Sequence, residues 1–77
     1  MATRYRVALT DEEREQLRTL TRKGKPAART VRRAQILLLA GEGQTDEGIS
    51  AALHCGVSTV ARTRQRCVEE SLAVALY

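Results

Sequence analysis

Residues 45–66, TDEGISAALHCGVSTVARTRQR, leave this chain little choice of fold. The spacing predicts two short helices across a tight turn, one over about residues 46–53 and one from Val57 or Ser58 to Glu70. Thr45 stands where a capping hydroxyl belongs, and Asp46 and Glu47 fall in the first turn, where the helix dipole favours negative charge. His54, Cys55 and Gly56 make the turn, and Gly56 is expected to take its unusual backbone angles. Ile49, Ala52 and Leu53 on the first helix face inward, as do Val60, Thr63, Cys67 and Val68 on the second. Ser50 sits where a small side chain lets the two helices approach.

The remainder reads as more helix. The 77 residues hold no Trp, no Phe and only two Tyr, so the core is built from Leu, Ile, Val and Ala. That composition suits closely packed helices better than a sandwich of strands. Residues 1–9 read as an extended arm. Thr10 and Glu13 form a T-x-x-E capping box that opens a helix with Leu17 and Leu20 on its thin apolar side. Gly24 stops it, and Pro26 fits the first position of the next helix, over about residues 27–40. There Ala27, Val31, Ala34 and Leu38 share a stripe, which Ile36, Leu37 and Leu39 widen until the helix must be central. Residues 72–77 are apolar enough for a fifth short helix or a packed tail, the tail serving either its own core or a second copy in a homodimer. The expected fold is all-α, four to five short helices in one domain over 1–77, with residues 45–70 as a helix-turn-helix.

Charge and the outward face of the last long helix point to a partner. Lys and Arg number 13 against 9 Asp and Glu, a net charge of +4, and all but Lys23 and Lys25 of the 13 are Arg. The guanidinium fork suits phosphate and guanine edges, although a solvated arginine-rich surface has the same composition. In a helix-turn-helix the second helix enters the major groove and reads bases mainly with its N-terminal residues. Ser58, Thr59, Arg62 and Gln65 are therefore the base-contacting candidates, with Arg62 matched to guanine and Gln65 to adenine. Arg64 and Arg66 are expected at phosphates. Arg29, Arg32 and Arg33 share one helix face, read either as a phosphate clamp or as a solvated side. Arg4 and Arg6 flank Tyr5 and have two readings, a minor-groove arm or a terminus with incidental charge. His54, Cys55 and Cys67 have no recognised ligand spacing, so the cysteines read as small buried hydrophobes and His54 as a turn residue. No metal, cofactor, nucleophile–base pair or phosphate loop is expected, and no apolar run approaches a membrane span.

In order along nearly the whole chain, LTDEE, TVRRAQILLLA, TDEGISAAL, GVSTVARTRQR and CVEESLAVAL resemble the N-terminal helix-turn-helix domain of bacterial insertion-sequence transposases of the mariner-like superfamily. The resemblance implies a homeodomain-like domain that binds the terminal inverted repeats of a mobile element as double-stranded DNA. In that family it precedes a catalytic domain with three metal-binding carboxylates. Such a domain is not expected in this chain, whose Asp11, Glu12, Glu13, Asp46 and Glu47 are accounted for at helix starts, so it is expected to be no enzyme. The implied setting is the bacterial cytoplasm, at the nucleoid. Cys67 and Ser71 stand where the family commonly carries an apolar residue, often Phe, and Gly; Gly48 stands where a second Glu is more usual. A free-standing transcriptional regulator and a helical protein–protein interaction module are the other two readings.

Overall fold

The computed structural model describes residues 6–23 and 27–76. The expectations for Arg4, Gly24 and Pro26 lie outside the described residues. The described chain forms five helices and no strand: α1 (Asp11–Lys23), α2 (Ala28–Gly41), α3 (Asp46–Leu53), α4 (Val57–Glu69) and α5 (Leu72–Leu76).

The capping box opens α1 as the sequence implies. The Thr10 amide donates to Glu13 Oε1 at 2.9 Å, and the Glu13 amide donates to Thr10 Oγ1 at 3.1 Å. Leu17 is fully buried and Leu20 half-buried. Residues 6–10, the described part of the segment before α1, form no helix or strand, yet they are anchored. Val7 is buried in the core, and Leu9 packs so closely on Gly41 that a Cβ there would lie 2.9 Å from Leu9 Cδ1. Two apolar side chains thus fasten this segment across the C-terminal end of α2.

Helix α2 is the central element, touching α1, α3, α4 and α5. Neighbours on several sides turn its burial away from the expected stripe. Thr30, Ala34, Ile36, Leu37 and Ala40 are buried, whereas Val31 and Leu38 are half-buried and Ala27 is exposed. The chain leaves α2 through Gly43 at φ 92°, a conformation that costs glycine little, and the Gln44 amide donates to Leu39 O at 3.2 Å.

Thr45 caps α3 by accepting from the Gly48 amide at 3.0 Å. A Cβ on Gly48 would sit 3.2 Å from that capping oxygen, so the glycine leaves the cap room. The left-handed residue of the turn is His54, at φ 55°, and not Gly56, which caps α4 in extended conformation at φ −71°. Ser50 ties the turn: its hydroxyl donates to the Cys55 carbonyl while its own carbonyl accepts from the Cys55 amide. Ile49 and Val60 are fully buried and Leu53 is half-buried. Ala52 and Val68, both expected inside, are exposed; on α4 the inward position is taken by Arg64.

Ser71 starts α5, its hydroxyl accepting from the Val74 amide at 3.2 Å. Ala75 and Leu76 are buried, and Arg33 Nη1 donates to the Leu76 carbonyl at 3.3 Å. Of its two expected roles, the tail therefore covers its own core, and of α5 itself Ala73 and Val74 are exposed.

Two predictions follow from backbone and burial. His54→Gly should stabilise the domain by about 1 kcal/mol, because a β-carbon is disfavoured in the left-handed region. Thermal unfolding should show a rise of roughly 4–8 °C; an unchanged midpoint would count against the turn geometry. Burial first, and then the Glu13 carboxylate, push the half-buried Cys67 thiol above its ordinary value of 9.0. The folded chain then holds this proton more tightly than the unfolded chain, so stability falls as pH rises past the ordinary thiol value and is unaffected below it. Denaturant titrations between pH 7 and 11 should show a shallower alkaline loss in Cys67→Ala than in the unaltered protein.

Candidate nucleic-acid interface

Helix α4 divides cleanly into faces. Val60, Thr63, Arg64 and Cys67 point inward, and the buried Thr63 hydroxyl is satisfied by the Thr59 carbonyl at 2.9 Å. Ser58, Arg62, Gln65 and Glu69 form the opposite side, all exposed. Their spacing of four, three and four residues keeps them on one line down the helix. Thr59 and Arg66 flank that line on the side of α2, also exposed. Gln65 Nε2 donates to Glu69 Oε1 at 3.1 Å.

Arg64 does not belong to this surface. Expected at a phosphate, it is only 3 % exposed. Its Nε lies 2.6 Å from Asp46 Oδ1, and its Nη2 donates to the Gln44 carbonyl. The guanidinium thus reaches from the middle of α4 to the first turn of α3 and the loop before it. Sequence reasoning missed this partnership, although the spacing held a signal: position 64 lies on the stripe that carries Val60 and Cys67. Asp46, read only as a helix-start acid, carries the matching charge.

The other arginines gather around Thr59. Arg29, Arg32 and Arg33 line an open groove of about 320 Å³ with Ala28, Ile36 and Thr59. Arg33 and Thr59 also border a smaller recess of about 60 Å³ with Arg62, Thr63, Arg66 and Ala75. Five arginines from α2 and α4 therefore line two recesses that share Arg33 and Thr59. Among the described residues no ion pair engages Arg29, Arg32, Arg33, Arg62 or Arg66. Uncompensated like charges lining a concavity focus a positive potential and attract anions. Arg6 lies elsewhere, exposed beside Glu42, Gly43 and Gln44 at the other end of α2.

A family model described as a homeodomain-like domain matches residues 27–76, from the start of α2 to the end of α5. The chain belongs to this homeodomain-like family. The match embraces the α3–α4 pair and the arginine-bearing part of α2, while α1 and the segment before it lie outside it. Helix-turn-helix domains of this kind are DNA-binding modules. No curated protein and no solved structure matches the chain. Among the described residues, no group of three or more His, Cys, Asp and Glu is placed to hold a metal ion. None of the described helices is long and apolar enough to cross a membrane.

The position of Arg64 separates two kinds of arginine on one helix. Asp46→Ala strands a buried guanidinium and should cost roughly 3 kcal/mol, the low end for a broken buried pair because Asp46 itself keeps some contact with water. Arg66→Ala, two residues from Arg64, should leave chemical denaturation within about 0.5 kcal/mol of the unaltered protein. Equal losses in both variants would overturn the assignment of Arg64 to the interior.

Proposed function

We propose that this domain binds double-stranded DNA sequence-specifically, with α4 in the major groove. Ser58, Thr59, Arg62 and Gln65 meet base edges, and Arg29, Arg32, Arg33 and Arg66 meet phosphates. The observation that carries the reading is the arrangement of the exposed α4 line beside two recesses that share Thr59 and are lined by five arginines from two helices. A groove-reading helix needs a polar, unobstructed leading turn, and Ser58 and Thr59 provide one. It also needs cations to one side at the level of the phosphate backbone, which α2 supplies. Arg33 is shared between this role and the Leu76 carbonyl, so its removal would disturb α5 as well.

We propose further that the DNA is the terminal inverted repeat of a mobile element and that the domain serves a transposase. The support is the resemblance in sequence, which runs from the capping box of α1 to α5. A transcriptional regulator would instead select a palindrome near a promoter, and a protein-interaction module would select no duplex.

Titration of labelled duplex at two salt concentrations tests the binding itself, since affinity carried by phosphate contacts falls steeply with salt. Arg62→Ala should flatten the preference between specific and random duplex, a loss on the order of 1–3 kcal/mol of discrimination. Arg32→Ala should weaken both duplexes alike and reduce the salt slope by about 0.9. Binding that ignores salt, or specificity indifferent to Arg62→Ala, would sink the proposal.

A further inference from the structure

The groove-facing line of α4 changes character along its length. Ser58, Thr59 and Arg62, in its first half, offer hydrogen-bond donors. Its second half holds Gln65 and Glu69, joined at 3.1 Å. A carboxylate only accepts, so the Gln65 amide must turn its nitrogen towards Glu69. The amide oxygen is then the atom left to accept from a group outside the helix. Glu69 sits one turn further along the same exposed face.

From this geometry we infer that Glu69 is a positioning residue for Gln65. Together they make this half of α4 select a base with an amino group in the major groove, adenine or cytosine, on the strand it reads. The inference rests on the DNA-binding reading above. A glutamine free to rotate accepts from adenine N6 or cytosine N4 with its oxygen. It donates equally well to guanine O6 or thymine O4 with its nitrogen. The bond to Glu69 removes that freedom in advance of binding. It presents Oε1 to the base, where the O6 of guanine or the O4 of thymine would set one acceptor against another. The same bond leaves one of the two amide hydrogens available, so the adenine pattern of N6 donor and N7 acceptor is matched without releasing Glu69.

The test is selection of bound duplexes from a random pool by the full chain, compared with Gln65→Ala, Glu69→Ala and Glu69→Gln. Gln65→Ala identifies the position concerned as the one whose preference it abolishes. At that position the unaltered protein should select adenine or cytosine. Glu69→Ala should weaken that preference about tenfold and leave the rest of the motif, including the base lost in Arg62→Ala, intact. Glu69→Gln keeps an oxygen in reach of the Gln65 amide and should retain most of the preference, which a merely structural loss on α4 would not do. Guanine or thymine at that position overturns the inference while DNA binding stands. So does a preference unmoved by Glu69→Ala, or a Gln65→Ala selection identical to the original. A pool from which the unaltered protein enriches no motif overturns the DNA reading itself and this inference with it.

Discussion

The fold is organised around one buried guanidinium. Arg64 projects inward from the middle of α4, meets Asp46 in the first turn of α3 and occupies the carbonyl of Gln44 in the loop before it. A charge taken that far out of water is tolerated only when paired and hydrogen-bonded, and both conditions are met here. The consequence is geometrical. Apolar side chains such as Val60 and Ile49 tolerate small rotations of one helix against another. A planar fork held by two partners tolerates few, and so it sets how α4 is turned about its own axis. That rotation decides which residues of α4 are left outside. Ser58, Arg62, Gln65 and Glu69 are the exposed line because positions 60, 63, 64 and 67 are the inward one.

The elements around the α3–α4 pair serve the same end. Helix α2 runs through the centre, contributes Ala34, Ile36 and Leu37 to the core, and turns Arg29 and Arg32 outward beside Thr59. Helix α1 and the anchored segment holding Val7 and Leu9 lie outside the homeodomain-like match, yet they bury apolar surface that would otherwise face water. Helix α5 returns over α2 and α4, closing the core with Ala75 and Leu76. In a chain this short, with no Trp and no Phe, each such addition is a sizeable share of the apolar area removed from water.

Much of this was legible in the residues alone because local signals agreed. Thr10 with Glu13 and Thr45 before Asp46 each mark a helix start by a chemistry that acts over three residues, whereas the cap that Ser71 gives α5 is visible only in the structure. The exposed candidates on α4 followed from helical spacing. The misreadings have a common origin. Gly56 was the natural choice for a left-handed turn residue, but the chain reverses one step earlier, where Ser50 clamps Cys55, and so His54 takes that conformation. Ala52 and Val68 were placed inside by hydrophobicity, and Arg64 outside by charge. Hydrophobicity and charge are only averages over environments, and a partner such as Asp46, 18 positions away in the chain, outweighs them.

The sequence by itself determined that the chain is helical, where its capped helices begin, and that six of its eleven arginines fall in two clusters, at 29–33 and 62–66. These depend on interactions between near neighbours in the chain, which any reading of spacing and capping recovers. Only the tertiary structure decided which arginine is buried and which five line the two recesses around Thr59. It also decided that the tail closes its own core. Those outcomes depend on how α2, α3 and α4 cross, and the crossing is set by contacts between residues far apart in sequence, whose pairing no local pattern encodes.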